Sequence, residues 1–366
     1  MRPDLKSVLR SFRLPSAAKS AEPFGSGHIN DTYLVEVSDD DTRYVLQRIN
    51  RNVFPDPVAI MENVARVTAH VQSKAAKCQV LERQSNLHVI STYDGNAYYR
   101  DSDREYWRLW PHIENATTID TVQSAKQAYI AGSAFGAFQV LMHDLPAPRL
   151  LETIPNFHNT IERFAQFSTS LSEDTGDRAK RCAPEIEIAL VNEANAGVLN
   201  RMHESGELPE RVVHNDAKIN NVMLDDATGE AVCVIDLDTV MPGLALFDFG
   251  DLVRTATASA AEDQDGATIQ LTWYAQLVDG YLKHTASFLN EAEVELLPLA
   301  GRIITLETGL RFLTDYLSGD TYFKTDRADH NLTRCRSQFS LLASIDQQFS
   351  QMQEITAAAY AKLNEQ

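Results

Sequence analysis

Val212-Val213-His214-Asn215-Asp216-Ala217-Lys218-Ile219-Asn220-Asn221-Val222-Met223-Leu224 has the form H-x-D-x-x-x-x-N, set between two short apolar strands. Further on, Val232-Cys233-Val234-Ile235-Asp236 is a third apolar strand that ends in an acid. A loop carrying an aspartate and an asparagine, followed by a strand that delivers another aspartate, suits phosphoryl transfer. Asp216 can accept the proton of an attacking hydroxyl. The amide oxygen of Asn221 and the carboxylate of Asp236 are hard oxygen ligands of the kind Mg2+ prefers, and the ion neutralises charge that develops on the phosphates. An Asp or Asn alone in a loop more often caps a helix or shapes a turn. The weight therefore rests on the joint pattern. His214 reads as a loop-packing residue rather than a base, because Asp216 projects from the same turn.

Upstream, Phe24-Gly25-Ser26-Gly27-His28-Ile29-Asn30-Asp31-Thr32-Tyr33 is a glycine-containing turn entering a strand. Glycine lets backbone amides approach a phosphate closely. The turn lacks GK[ST] and leads into a strand, so it is neither a Walker A motif nor a dinucleotide fingerprint. Strand-like alternation runs from Pro23 to about Asn50, with Thr32–Val37 and Arg43–Ile49 as the arms of a hairpin. Pro55-Asp56-Pro57 opens a helix whose apolar residues recur to about Lys74. Gln79–Leu81, His88–Ser91, Ala97–Arg100 and Tyr106–Trp110 read as further short strands. Beyond Pro111 the texture turns helical: Gln123–His143 with a small-residue face (Ala131, Gly132, Ala134, Gly136, Ala137), then 157–171 and 177–203, and almost everything after Leu244. The spacing thus predicts a small β-rich lobe followed by a large helical one, with the boundary near residues 110–116. A nucleotide or substrate cleft between two lobes is a common arrangement.

A length of 366 residues suits two lobes or one large domain, and 44% hydrophobic residues can build a core. A formal charge of −18 argues against a general nucleic-acid binder and keeps the chain from anionic membranes. The four cysteines (Cys78, Cys182, Cys233, Cys335) form no CxxC pair. They read as reduced thiols of a cytoplasmic protein. No apolar run is long enough to span a bilayer. The opening residues lack an apolar signal core and read as a short amphipathic helix on Leu5, Val8, Leu9 and Phe12.

On these motifs the chain resembles the aminoglycoside phosphotransferase and choline kinase family. It is most similar there to the bacterial N-acetylhexosamine 1-kinases. The stretches that carry the resemblance are GSGHINDTY, YVLQRINRNVFPDP, HNDAKINNVMLD, VIDLDTVMPG, FDFGD and RFLTDYLSGDTYFK. The resemblance implies an α+β, protein-kinase-like bilobal fold, with residues 1–111 as nucleotide-binding lobe and 112–366 as catalytic and acceptor-binding lobe. It implies Mg2+ and ATP as cofactors, Asp216 as catalytic base, and Asn221 and Asp236 as metal ligands. Gly25, Ser26, Gly27 and His28 would lie over the phosphates.

The strand that usually delivers a lysine reads Tyr44-Val45-Leu46-Gln47-Arg48-Ile49. Leu46 and Arg48 share a face, so Arg48 is the expected phosphate cation, with Glu62 on the first helix as its partner. Pro111, His112 and Ile113 would form the hinge that reads adenine through backbone groups. Acceptor candidates are His28, Asn30, Asp31, Asp238, Arg311, Asp315 and Tyr316. Asp248 and Asp251, in FDFGD, read as helix-starting and loop-bracing residues. The implied acceptor is a small sugar, an N-acetylhexosamine phosphorylated at its anomeric hydroxyl by a monomer or small homo-oligomer. Alternatives are a kinase of the same fold for choline, homoserine, methylthioribose or an aminoglycoside, and a nucleotide-binding pseudokinase scaffold.

Overall fold

The structure is a computed structural model and describes residues 5–25, 29–39, 41–74 and 83–365. The elements run α1 (Leu5–Leu9), β1 (Ala18–Pro23), β2 (Asp31–Val37), β3 (Arg43–Arg48), α2 (Pro57–Lys74), β4 (Tyr99–Arg100), β5 (Tyr106–Pro111), β6 (Ala116–Thr117), α3 (Ala125–Met142), α4 (Thr160–Glu173), α5 (Ala183–Ala196), α6 (Val198–Glu204), β7 (Arg211–Val213), β8 (Val222–Asp225), β9 (Ala231–Val234), β10 (Met241–Gly243), α7 (Ala245–Ala256), α8 (Leu271–Thr285), α9 (Glu291–Glu295), α10 (Leu297–Leu317) and α11 (His330–Asn364).

They form two compact units. The first takes the chain up to Thr117 together with Asp144–Ile154 and Met223–Met241; the second takes Thr118–His143, Pro155–Val222 and Pro242 onward. A single cut at residue 111 assigns those two later segments of the first unit to the other side.

The first unit is built on an antiparallel sheet in the order β1-β2-β3-β5-β4. Alternation gives it two faces. Val35, Val37, Tyr44, Leu46, Trp107 and Leu109 form one of them and are buried under Val8, Leu9 and Phe12 of the N-terminal segment. Each such side chain stabilises the unit by roughly 1.5–3 kcal/mol. The opposite face carries Gln47, Arg108 and Trp110, with Gln47 directly across from Arg108. Helix α2 starts where expected: Asp56 accepts the Ala59 N–H at 3.0 Å, and Pro57 occupies the first turn. A second small sheet, β6-β8-β9, completes the unit.

Three strand expectations change. β1 starts at Ala18, earlier than the alternating pattern, because its residues are half-exposed or exposed, none buried, and carry no period-two signal. His88–Ser91 forms no ladder; it gives single backbone bonds, Ile90 N–H to Leu109 O at 2.8 Å and Arg13 N–H to Ser91 O at 3.0 Å. Ala97–Arg100 shrinks to the two residues of β4. The strand read at Gln79–Leu81 lies outside the described residues.

The second unit is helical. The small-residue face of α3 meets α8 at backbone distance. A β-carbon on Gly132 would lie 2.3 Å from the Leu277 carbonyl oxygen, and one on Gly280 would lie 2.3 Å from that of Tyr129. Helix α10 runs through the core: Leu306, Leu310 and Leu313 pack with Phe164 and Phe167 of α4 and Phe339 of α11. The helix expected over 177–203 is divided at Gly197, where a β-carbon would meet Ile161 at 2.5 Å. No helix among the described residues is long and apolar enough to cross a membrane. Cys182, Cys233 and Cys335 are free and buried, and burial pushes the Cys182 thiol up to about 11. Cys78 lies outside the described residues.

Candidate active site

In the second unit, β7 ends at Val213 and the chain turns sharply at Asn215, whose φ of +63° is left-handed. Asparagine tolerates that conformation better than most residues. The turn is held from below by Asp248 in the first turn of α7. Its buried carboxylate accepts the His214 N–H at 2.8 Å, the Asn215 N–H at 2.7 Å and the Gln139 amide at 2.8 Å. Asp248 is therefore the loop-bracing residue its sequence position suggested. His214 is fully buried and lies edge-on to Phe135 and Phe138, as a packing residue does.

The turn presents Asp216, whose side chain is 27% exposed. Lys218 Nζ stands 3.0 Å from Asp216 Oδ2, and Asn221 Nδ2 donates to Asp216 Oδ2 at 3.0 Å and to its carbonyl at 2.8 Å. Burial works to raise the Asp216 pKa. The charges of Lys218 and His214 and the two hydrogen bonds outweigh it, so the carboxylate stays below its ordinary range. Because Asn221 spends its N–H on Asp216, its Oδ1 is the atom left to meet a cation. Among the described residues no cluster of three or more His, Cys, Asp or Glu side chains forms a metal centre. Mg2+ held by one or two protein oxygens and by phosphates needs none.

In the first unit, β9 leads to Asp236, also left-handed at φ +62°, and then to a single helical turn, Leu237–Thr239. Asp238 in that turn is buried and pairs bidentately with Arg108 of β5. It also accepts the Asn30 amide at 2.9 Å. Arg108 Nε donates to Gln47 Oε1 at 2.9 Å. The sequence reading missed Arg108, although a charge inside the apolar strand YWRLWP was a visible signal.

The expected Arg48–Glu62 pair does not form. Arg48 lies on the Leu46 face and pairs with Asp31 on the neighbouring strand. Glu62 is exposed, off the buried stripe of Ile60, Met61, Val64, Val67 and Val71 on α2. Among the described residues of this unit the buried cation is Arg108, and its acid is Asp238.

Gly25 has φ +77°, a left-handed turn that glycine adopts freely. Ser26, Gly27 and His28 lie outside the described residues. Phe24 meets His112 edge-on at 5.7 Å, which brings the entry of the glycine turn beside the expected hinge. There Pro111 ends β5, the His112 N–H is taken by the Arg43 carbonyl at 2.9 Å, and Ile113 is buried with Ala116 and Val232.

The acceptor candidates divide. Asn30, Asp31 and Asp238 belong to the first unit, where Asn30 touches Asp238. In the second unit Asp315 is fully engaged. It accepts N–H groups of Thr321, Tyr322 and Phe323 at 2.8–2.9 Å and the Asn331 amide at 2.8 Å, so it orders that loop. Tyr316 is buried in the core and donates to Asp329 at 3.2 Å. Arg311 lies between the rings of Phe157 and Phe323, 5.2 and 5.6 Å from their centroids, and makes no ion pair among the described residues. Burial and the nearby Arg311 charge lower the Arg163 pKa. Among the described residues Arg163 bonds the Phe157 carbonyl (2.6 Å) and Gln166 (3.1 Å). His158, next to Phe157, contacts the Asn215 carbonyl at 3.1 Å. Two guanidinium groups that form no ion pair among the described residues, with the Glu307 charge nearby, thus stand at the segment that contacts the Asp216 loop through His158.

A small antiparallel sheet followed by a larger helical part is the protein-kinase-like fold. Residues 20–296 match the model of the phosphotransferase enzyme family, and the chain belongs to that family. Among solved structures it is similar to an aminoglycoside phosphotransferase from Alicyclobacillus acidocaldarius (TM-score 0.61, 12% identity, 96% of this chain and 97% of that one). It is also similar to a microcompartment-associated aminopropanol kinase (TM-score 0.58, 15% identity, 95% and 98%). A third is the aminoglycoside phosphotransferase APH(2'')-Ib bound to ADP (TM-score 0.50, 15% identity, 90% and 95%). At these identities the likeness is one of fold.

Proposed function

We propose that the protein is an ATP-dependent, cytoplasmic kinase that phosphorylates the anomeric hydroxyl of an N-acetylhexosamine. Residues 1–111 serve the nucleotide and residues 112–366 serve catalysis and the acceptor. Asp216 takes the proton of the attacking hydroxyl and aligns its oxygen with the γ-phosphate. Lys218 keeps Asp216 ionised, and Asn221 fixes its rotamer. The Asn221 amide oxygen and the Asp236 carboxylate would hold Mg2+, which supplies charge neutralisation on the phosphates. The turn at Gly25–His28 covers the phosphates, and the backbone of Pro111–Ile113 reads the base. Asp238 and Asn30 brace the turn that carries Asp236.

The observation that carries the acceptor reading is Arg311. A guanidinium offers five N–H donors and no acceptor. Arg163 is its neighbour, and among the described residues neither forms an ion pair with a carboxylate, Glu307 reaching both only through its charge; two cations beside one carboxylate favour hydroxyl and carbonyl oxygens over an ammonium. The rings of Phe157, Phe323 and the exposed Tyr322 suit the apolar face of a hexose. The aminopropanol and aminoglycoside acceptors named for similar structures carry amines; this pair of cations disfavours them.

The test is ADP release with Mg-ATP against GlcNAc, GalNAc, glucose, choline, homoserine and kanamycin, with the product examined by 31P NMR. Turnover of the N-acetylhexosamines, with phosphorus coupled to the anomeric proton, is expected. Turnover of the cationic acceptors alone would overturn the assignment.

A further inference from the structure

We infer that His158 is a positioning residue for Asp216, acting through the carbonyl of Asn215; this rests on Asp216 being the base. His158 precedes the N-cap of α4 and is buried. Its Nδ1 lies 2.8 Å from Glu307 Oε1 on α10, and its Nε2 lies 3.1 Å from the Asn215 carbonyl oxygen. Both facing atoms are oxygens that only accept. The ring thus bridges Glu307 to the Asn215 carbonyl, its Nε2–H donating to that carbonyl oxygen.

Glu307 fits that role. Its second oxygen accepts the Thr160 hydroxyl at 2.6 Å. Burial pushes its pKa up, but the His158 charge and the two hydrogen bonds hold it below the ordinary carboxylate value. The ring is wedged between Phe157 and Phe247, with centroids 4.8 and 5.0 Å away.

Asn215 is thereby gripped at both ends: its N–H by Asp248 and its carbonyl by His158. It is the left-handed residue just before Asp216. Its carbonyl belongs to the peptide plane that joins it to Asp216, so fixing that oxygen fixes the direction in which the base leaves the backbone. His158 touches neither phosphate nor acceptor in this account. It transfers the rigidity of α10 to the base, and small displacements of a reacting group are costly.

Two near-isosteres separate positioning from simple support of the fold. A glutamine amide falls near Nε2 and an asparagine amide near Nδ1. His158→Gln therefore keeps the bond to Asn215 and strips Glu307; His158→Asn does the reverse. Positioning predicts that His158→Asn loses kcat by about tenfold or more with KM nearly unchanged, while His158→Gln keeps most of it. Thermal stability should rank the other way, with the asparagine variant the more stable. Glu307→Gln, which preserves the Asn215 bond with a neutral ring, should stay within about threefold of wild-type kcat. It also serves as the background for His158→Gln if that variant alone does not fold.

Hydrogen–deuterium exchange of the peptide spanning residues 212–218 gives a readout independent of any acceptor. Exchange should accelerate several-fold in His158→Asn and little in His158→Gln. If the wild-type enzyme turns over no N-acetylhexosamine, the acceptor reading falls and exchange alone decides on His158. A kcat order that follows the stability order, or equal exchange in both variants, overturns the inference.

Discussion

Lys218 and Asn221 grip one carboxylate and work against the burial that would protonate it. The base we propose must be ionised, so activity should fall as pH drops through the Asp216 pKa, which is held below the ordinary carboxylate range. Removing the Lys218 charge leaves burial less opposed and raises the pKa. The acidic limb of the kcat/KM profile in Lys218→Met should therefore move to higher pH; an unmoved limb would mean that Lys218 does not tune the base. The acceptor reading proposed for Arg311 makes a separate prediction. Arg311→Met should raise the acceptor KM about tenfold or more, in line with losing charged hydrogen bonds, and leave the KM for ATP unchanged; initial-rate kinetics in both substrates would check it. At this scale the sequence was informative where chemistry is local: Asp216, Asn221 and Asp248 all lie in one short stretch or the next helix. His158 and Glu307 are 149 positions apart and meet only through tertiary packing, and no spacing rule reaches that far. Arg48 was chosen by alternation, which fixes which residues share a face but not which face is covered.

Helices α3 and α8 cross with backbone against backbone, and the cause is written in Gly132 and Gly280. Gly280→Val must displace the Tyr129 carbonyl and should cost roughly 1–3 kcal/mol or more, read as a lower urea midpoint at an unchanged m-value. The small-residue face of α3 was legible before the structure; its partner was not, since α8 offers only one glycine. The Arg108–Asp238 pair belongs to β5 and the turn after β9. Arg108→Met strands a buried carboxylate and should destabilise by about 3–5 kcal/mol, whereas replacing both residues by apolar ones of similar volume should recover most of the loss. Chemical unfolding of the single and double variants checks this. The elements whose apolar period is clean, β2, β3, α2 and α3, fall close to where the sequence sets them. β1 and His88–Ser91 do not, because half-exposed edge segments carry little pattern.

The first unit is assembled from three separate stretches of chain. Gln84 exchanges hydrogen bonds with the backbone of Val234 (2.6 and 2.9 Å), Asn63 bonds Leu151 and Val240, and Arg108 needs Asp238. A fragment ending at residue 117 leaves these buried polar groups unpaired and should not fold alone, a result that circular dichroism and amide NMR dispersion would reveal. The change from strand-like to helical spacing anticipates a small sheet followed by a larger helical part, but only the folded chain reveals that it returns twice to the first unit.

The most direct test of the whole scheme is the kcat of Asp216→Asn with Mg-ATP and an N-acetylhexosamine, on protein whose melting curve matches the wild type. Loss of a general base predicts a fall of about 10²–10⁴-fold with KM values little changed. A variant that keeps wild-type kcat would contradict Asp216 as the base and the proton-transfer scheme built on it.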